Sequence, residues 1–524
     1  MQLMVLFRRW LCTALAVMAA CGAAFGAATD SGAAFSFHCA GSAQLAGNTN
    51  LTALHNLLGL KQTPDFEAAA LRKIAASMAD GLGLGTNAAT ISLLAPLLGD
   101  VAKSESLGSF NGNGEGSMSF IVAVRVEAGR TAIWQENLGK ALGAGGEAFT
   151  NGEFSGRRWS TRGSNSLWMI AAKEWLLVGR GNDFSNAQAG YLDQIKKNGR
   201  PVPSLKGNWF EADAKSDRVG GWLRLLKPAQ LRIDITTNGS DLQINARALE
   251  TGPTAWKPGP WQIPKELLRG QIISFTAARD PGAFLNPGHS LTHLAFNPLT
   301  NQFYCWALGQ MPLLNYLAWP VAGNASNALQ MIGTQAPAAL NPELERFNGM
   351  ELVWHPDRHK LALQNVRLFT PVLEPVRAGE GQFLLLSSFP WVSNDIPAPD
   401  ALMAQVEGRP DLVYYDWELT GRRLAEWILL NRMIANRNGA ETPDGEVLQA
   451  VENTWLTAVA PLVGNTVTEI MQTASNELTL TRKAPIGVTA VEMVLVADWL
   501  CDAGSGSICS TPPAAKMPSP PGWP

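Results

Sequence analysis

The segment that indicates the fold is Val413-Tyr414-Tyr415-Asp416-Trp417-Glu418, because an earlier segment, Asn208-Trp209-Phe210-Glu211-Ala212-Asp213, repeats its pattern. One constant shift along the chain superposes aromatic on aromatic and acid on acid, and it also superposes Trp222 on Trp427. Upstream, Glu174–Val178 resembles Gln382–Leu386, with a small gap between this match and the first one. Self-similarity of this kind is typical of a chain built by duplication of one structural unit. The sequence therefore predicts two related lobes.

Alternating apolar and polar residues predict antiparallel strands with one covered face in each lobe. Ile233–Thr236 and Leu242–Asn245 flank Asn238-Gly239, which is a favoured hairpin turn. Further strands are predicted at Phe120–Val124, Leu352–Trp354, Leu361–Leu363, Leu478–Thr481 and Val488–Val496. Pro356-Asp357 predicts a turn between two of these strands.

Helices are predicted to cover the strands. Thr63-Pro64-Asp65 opens one helix with a capping hydroxyl and a proline in the first turn, and Thr442-Pro443-Asp444 repeats this opening. An apolar stripe follows the first opening, formed by Leu71, Ile74, Ala75, Met78 and Leu82. Because strands and helices alternate irregularly, the predicted fold class is α+β, with two related lobes that are each a largely antiparallel sheet covered by helices.

The predicted domain boundaries follow from composition. Residues 1–28 form a signal peptide, 29–250 the first lobe, 251–270 a connector rich in proline and glycine, 271–500 the second lobe and 501–524 a disordered tail. In the signal peptide, Arg8 and Arg9 precede an apolar run and small residues follow at 26–28. This predicts an extracytoplasmic protein of the periplasm, cell envelope or secreted fraction. Cys21 raises the alternative of a lipoprotein, although Met18 stands where that signal usually has leucine.

Charge and hydropathy exclude some classes of partner. The chain has 41 Lys and Arg against 44 Asp and Glu, and this near balance gives no electrostatic reason to bind nucleic acid. No run after the signal peptide is long and apolar enough for a transmembrane helix. We expect an unknown envelope partner or a small ligand, and the sequence predicts no cofactor.

The acid pairs are the candidate catalytic residues because they recur. Glu211 and Asp213 lie two apart on a predicted strand, as do Asp416 and Glu418, so each pair points to one face. Two close carboxylates could share a proton or a divalent cation. The alternative interpretation is that both pairs form the solvated face, opposite a covered face of apolar residues.

Two other residue types suggest binding. His289 and His293 have a spacing that would put both imidazoles on one side of a helix, and His355 and His359 have the same spacing. Because Pro356-Asp357 predicts a turn within the second pair, the first pair provides the candidate metal ligands. Pro287-Gly288 argues against a regular helix there. Trp209, Tyr414 and Trp417 are the candidates for lining a ligand site in a cleft between the lobes.

Four cysteines remain outside the signal peptide: Cys39, Cys305, Cys501 and Cys509. In an oxidising compartment they allow three connectivities, and the short spacing between the last two permits a local Cys501–Cys509 disulfide. Cys39 and Cys305 are equally compatible with a bridge between the halves and with buried free thiols.

The segments Ser36-Phe37-His38-Cys39-Ala40-Gly41 and Ser274-Phe275-Thr276-Ala277-Ala278-Arg279 each open one lobe. With the signal peptide and the repeat, they make the chain resemble uncharacterised exported envelope proteins of planctomycete- and verrucomicrobium-like bacteria. This resemblance implies no activity and no site residue. The predicted function is a non-catalytic binding or structural component of the bacterial cell envelope, and the alternative is a secreted hydrolase that uses the paired carboxylates.

Overall fold

The computed structural model describes residues 33–112, 118–143, 145–161, 166–181, 185–215, 229–250, 259–279, 301–345, 349–366, 370–389, 396–438 and 452–501. They form two compact units: unit 1 contains the described residues of Met1–Gly239, Ala440–Trp455 and Leu495–Pro524, and unit 2 those of Ser240–Gly439 and Leu456–Val494. The predicted signal peptide, the helix opening at Thr442, Trp222, His289, His293, Cys509 and most of the predicted tail lie outside the described residues.

Unit 1 mixes helices and strands. Its elements are β1 (Phe35–Cys39), α1 (Ser42–Ala46), α2 (Thr52–Leu58), α3 (Thr63–Gly81), α4 (Ala88–Lys103), β2 (Ser106–Gly112), β3 (Met118–Arg125), α5 (Arg130–Leu142), β4 (Glu147–Asn151), β5 (Phe154–Ser160), β6 (Ser166–Ala172), β7 (Trp175–Arg180), α6 (Ser185–Asn198), β8 (Phe210–Lys215) and β9 (Gln230–Asn238). Six strands form an antiparallel sheet in the order β2-β3-β7-β6-β5-β4, and β8 pairs with β1 on one side and β9 on the other.

Unit 2 is built around an open antiparallel sheet. Its elements are β10 (Asp241–Leu249), β11 (Ile272–Arg279), β12 (Gln302–Leu308), β13 (Asn315–Pro320), α7 (Ala325–Leu344), β14 (Glu351–His355), β15 (Lys360–Gln364), β16 (Val372–Ala378), β17 (Gly381–Ser387), α8 (Asp400–Met403), β18 (Leu412–Leu419), α9 (Thr420–Asn438), β19 (Asn465–Ala474) and β20 (Glu477–Ala484). The strand order is β10-β20-β19-β18-β11-β12-β13-β17-β16-β15-β14. Two further helices, α10 (residues 452–459) and α11 (Ala490–Cys501), contain two of the four positions at which the chain passes from one unit to the other.

The strand pairings of the first half of the chain recur in the second half. The order β2-β3-β7-β6-β5-β4 becomes β12-β13-β17-β16-β15-β14 when each label is raised by ten. The same shift converts the ladder β1-β8-β9 into β11-β18-β19. The two segments that resemble each other in sequence, Glu174–Val178 and Gln382–Leu386, lie at β7 and β17. These two strands correspond to each other when the label is raised by ten.

Helices cover both faces of the central strand β7, whereas the sequence predicted one covered face. In unit 1, β7 is buried along its whole length. One of its faces packs with α3, α4 and α5, where the predicted apolar stripe of α3 lies, and the other packs with α6. A strand buried on both faces needs apolar residues at successive positions, which explains the unbroken run of Leu176, Leu177 and Val178.

The two faces of the unit 2 sheet differ in chemistry. The face that carries Phe275, Tyr304, Trp306 and Tyr415 packs under residues 261–268 and α8, and we call it the aromatic face. The opposite face carries Asp416 and Glu418, and we call it the acid face. One row of directly opposed residues crosses the acid face in the order Cys305, Thr276, Asp416, Thr468, Arg482, Ile244.

Most predicted elements are present, with two corrections. The strands at Phe120 and Leu478, the turn at Pro356 and the helix at Thr63 are confirmed. Thr63 does not cap its helix, because its hydroxyl donates to the Leu57 carbonyl oxygen at 2.6 Å. The strand predicted at Val488–Val496 is wrong, since α11 begins at Ala490. Within the described part of the chain, no helix combines the length and the apolar character needed to cross a membrane.

Two helical glycines have opposite surroundings and give opposite expectations for a change to alanine. A Cβ at Gly421 in α9 would overlap the Ala460 carbonyl oxygen, whereas a Cβ at Gly190 in α6 would meet nothing within 4 Å. We expect Gly421→Ala to lower the free energy of unfolding by about 1–3 kcal/mol, because the backbone must move. Gly190→Ala should raise it by roughly 0.5–1 kcal/mol through helix propensity. Urea denaturation of both variants measures this, and equal effects would contradict the close approach of Gly421 to Ala460.

Candidate functional site

The most chemically distinctive region of the described residues is the centre of the acid face in unit 2. Alternation along β18 places Asp416 and Glu418 on this face, as the spacing predicted. The Thr276 hydroxyl of β11 donates to Asp416 Oδ1 at 2.6 Å. The backbone N–H of Ala490, at the start of α11, donates to Glu418 Oε1 at 2.7 Å. Each carboxylate therefore accepts a hydrogen bond from a neighbouring strand or helix of the protein.

Helix α9 and strand β20 add further charged groups to the same face, and α11 supplies the partner of one of them. In α9, which begins directly after β18, the Arg423 guanidinium pairs with Glu426 and donates to Asn315 Oδ1 at 2.9 Å. In β20, Arg482 donates to Glu492 Oε2 at 2.7 Å and to the Thr468 hydroxyl at 2.9 Å.

Glu492 also ties the first turn of α11 to the sheet. The backbone N–H of Thr489 donates to Glu492 Oε2 at 2.8 Å, and the same oxygen receives the Arg482 guanidinium. Since a helix N-terminus carries free N–H groups and partial positive charge, a carboxylate there is favourable. The carboxylate of Glu418 does the same from the sheet side through Ala490.

These residues form what we call the acid-face cluster, which holds more carboxyl groups than guanidinium groups. Its members are Asp416, Glu418, Glu426 and Glu492 with Arg423 and Arg482. All but Asp416 are buried, and Asp416 is partly buried. With every group ionised, the cluster would carry two uncompensated negative charges away from water, which is costly.

The pKa values follow from this imbalance. Burial raises the pKa of Glu418 to about 7, with a further contribution from the nearby Asp416 charge, and the Ala490 N–H offsets part of the rise. Burial also raises the pKa of Asp416, against the Thr276 hydrogen bond and Arg482. In α9, burial raises the pKa of Glu426 although Arg423 pulls it down. The cluster can therefore hold a proton near neutral pH.

The two acid pairs differ in exposure. The interpretation that the acids form a solvated face holds for Glu211 and Asp213, which are half-buried on β8 opposite the buried Phe210 and Ala212. It is wrong for the second pair, because α9 and α11 cover the acid face and Glu418 is only 6% exposed.

The first pair also makes internal hydrogen bonds. The Asn208 amide donates to Glu211 Oε1, and the Gln230 amide donates to Asp213 Oδ2, both at 2.6 Å.

The registers of the two pairs match. Glu211 and Asp213 lie opposite His38 and Ser36 of β1, and Asp416 and Glu418 lie opposite Thr276 and Ser274 of β11. Each opening segment singled out in the sequence thus pairs with the acid-bearing strand of its own half. Unlike Thr276, His38 does not bind the acid opposite it: its Nε2 lies 3.0 Å from a Glu105 carboxylate oxygen, which Arg200 also contacts.

In unit 1, Glu105 lies between His38 and Arg200, and we call these three residues the Glu105 cluster. Burial alone would raise its pKa, but the hydrogen bond with His38 and the charges of Arg200 and His38 lower it below the ordinary value. The Glu105 carboxylate therefore favours its ionised form, whereas the carboxyl groups of the acid-face cluster favour a bound proton.

The aromatic candidates do not share a surface. Tyr414 lies on the acid face, where burial raises the pKa of its phenol well above the ordinary value. Trp417 lies on the opposite, aromatic face and packs against its core. The two side chains therefore do not line one site. Trp209 precedes β8, and its buried indole Nε1 has no hydrogen-bond partner among the described residues.

The remaining candidates concern metals and thiols. The described residues contain no group of three or more His, Cys, Asp or Glu side chains arranged to hold a metal ion. His355 and His359 flank a 3-10 turn, as the proline indicated, instead of sharing a helix face. Cys39 and Cys305 are free thiols, so a bridge between them is excluded, and burial raises the pKa of Cys305 to about 11.

The sequence reasoning did not single out Arg423, Glu426, Arg482 or Glu492. Two of these had a readable signal: Glu492 is the only charged residue of the apolar run Val488–Val496, and Arg482 extends the apolar face of Leu478 and Leu480. A lone charge in an apolar pattern indicates a buried, paired group.

A shallow concavity in unit 1 is lined by Ala132, Gln135, Glu136, Gly139, Lys140, Gly143, Gly145 and Arg157, and it includes no acid-pair residue.

Comparison with protein-family models, with curated proteins and with solved structures gives no match.

Proposed function

We propose that this chain is an exported, non-catalytic binding or structural component of the bacterial cell envelope. The observation that carries the proposal is that the recurring carboxylates accept hydrogen bonds from neighbouring segments. Asp416 accepts one from the Thr276 hydroxyl, and Glu418 accepts one from the Ala490 N–H. Glu211 and Asp213 are bound by side-chain amides of neighbouring segments. Carboxylates held in this way join strands and helices, which is a structural role. The signal-peptide pattern of residues 1–28 supports export.

A duplicated architecture is part of this proposal. The strand order that recurs with labels raised by ten, and the matched registers of the two acid pairs, support two copies of one unit, β1–β10 and β11–β20. In this proposal the first copy ends with β10 and the second begins with β11, with the proposed connector of residues 251–270 between them. β10, the last strand of the first copy, pairs with β20 within unit 2.

The envelope role is tested by fractionation and cross-linking. We expect the mature chain in the extracytoplasmic fraction, cross-linked to an envelope component, or stabilised in thermal-shift measurements by a defined lipid, glycan or peptide. The control is the Gly190→Ala variant, which leaves every charged cluster intact and should behave in the same way. A cytosolic location of the mature chain, or no partner together with flat thermal shifts, would contradict the proposal.

The second candidate is a secreted hydrolase, favoured by one observation: a buried carboxyl with a pKa of about 7 is poised for acid–base chemistry. Under this alternative, Asp416→Asn and Glu211→Gln would abolish turnover measured on polysaccharide or peptide panels. Under the non-catalytic proposal neither substitution changes turnover, because the wild-type chain has none above background.

A further inference from the structure

We propose that the acid-face cluster is a proton-operated latch, in which uptake of a proton by its excess carboxylates holds the first turn of α11 against the unit 2 sheet. The latch is internal to unit 2 and does not depend on the proposed envelope role. Its parts are the sheet carboxyls Asp416 and Glu418, and the α11 groups that they and Arg482 contact.

The geometry makes the first turn of α11 the element that responds. Two carboxylates meet it from different sides: Glu418 accepts the Ala490 N–H, and Glu492 accepts the Thr489 N–H while pairing with Arg482. The next helical bond, from the Met493 N–H to the Thr489 carbonyl oxygen, is 3.0 Å long. Any repulsion between the carboxylates therefore acts directly on the residues that begin the helix.

The titratable and charged groups facing Glu418 come from every element packed on it. Asp416 on β18 and Arg423 on α9 act on Glu418 directly, and Tyr414 on β18 is also close to it. Arg482 on β20 and Glu492 on α11 act on the neighbouring Asp416, whereas Cys305 on β12 and Glu426 on α9 lie next to Arg423. The arginines balance two of the four carboxylates. A proton on one of the remaining two removes half of the unbalanced charge, and Glu418 is the member that titrates near neutrality.

The sign of the pH dependence follows from linkage. A carboxyl whose pKa is raised in the folded state binds a proton there more tightly than in the open state. Its contribution to stability is therefore fully present below the ordinary pKa of 4.5 and is lost as the pH rises through about 7. For one group with these two values, the equilibrium for opening should rise roughly 30-fold between pH 5.5 and 8.5.

The test is hydrogen exchange of the peptide that contains Met493 and Val494, with rates corrected for intrinsic exchange. In the full wild-type chain we expect protection to fall roughly 30-fold between pH 5.5 and 8.5. In Glu418→Gln, whose amide oxygen can still accept the Ala490 N–H, the fall should shrink to a few-fold, and protection at pH 8.5 should exceed that of wild type. Asp213→Asn, at the position of the first pair that is equivalent to Glu418, is the matched control and should follow wild type.

Each outcome decides the proposal. Protection that is flat or that rises with pH in the wild-type chain overturns it, as does a Glu418→Gln variant with the wild-type dependence. If Glu418→Gln does not fold, the wild-type profile decides alone, with the β3 amides of unit 1 as the internal reference. A 30-fold loss in the α11 peptide with unchanged β3 protection supports the latch, and an equal loss in both segments contradicts it.

Discussion

Arg482→Met should lower the free energy of unfolding of unit 2 by about 3–5 kcal/mol, because it leaves a buried carboxylate without its partner. The Arg482 guanidinium pairs with Glu492, which is 3% exposed, and also donates to the Thr468 hydroxyl. Methionine keeps most of the stem volume but supplies no charge and no donor. Equilibrium urea denaturation, followed by tryptophan fluorescence, gives the change.

The matched control is Arg247→Met. Arg247 on β10 pairs with Glu477 on β20, so both arginines lie on the same two-strand ladder, but Arg247 is exposed and its ion pair is screened by solvent, so its loss should matter far less. A second check is the double variant Arg482→Met/Glu492→Gln, which should recover part of the loss because the carboxylate that loses its partner is then also removed. Similar losses from Arg482→Met and Arg247→Met would show that burial does not govern the pair.

Arg279→Met should lower the free energy of unfolding of unit 2 by about 3 kcal/mol or more. Arg279 ends β11, is 2% exposed, and donates to the carbonyl oxygens of Gly259 at 2.8 Å, Pro410 at 2.6 Å and Leu412. Its guanidinium also stacks over Trp261, 4.3 Å from the ring centroid. Each carbonyl left unsatisfied in a buried place costs roughly 1–3 kcal/mol. Burial lowers the pKa of this guanidinium, which nevertheless stays charged.

Arg279→Lys should recover only part of this loss, since one ammonium group cannot span carbonyls that a planar guanidinium reaches together. The control is Arg269→Met, whose guanidinium bonds a single carbonyl at the surface and should change stability by less than about 0.5 kcal/mol. Thermal unfolding and urea denaturation measure all three variants. Equal stability of Arg279→Met and Arg269→Met would contradict the role of Arg279 in joining β11 to the loop before β18.

Local patterns in the sequence predicted most elements correctly, because they depend on neighbours along the chain. Alternation located β20 and the hairpin strands, and the spacing of apolar residues located α3. Val488–Val496 was predicted wrongly as a strand, since a short β-branched apolar run fits a buried helix equally well. The pairing of that run with Arg482 and Glu418, which makes it a helix start, is not visible along the chain.

By itself, the sequence determined the alternation that puts Asp416 beside Glu418, the recurrence of that strand and the α+β character, since each follows from residue spacing. Only the tertiary structure decided that Glu418 would be buried and Glu211 half-exposed, although the two acid pairs read alike. The physical reason is that burial and pKa depend on what packs above a strand. Over β18 the packed elements are α9, which follows it directly and supplies Arg423, and α11. The N-terminal N–H of α11 and the Arg482 guanidinium of β20 come from positions distant in the chain.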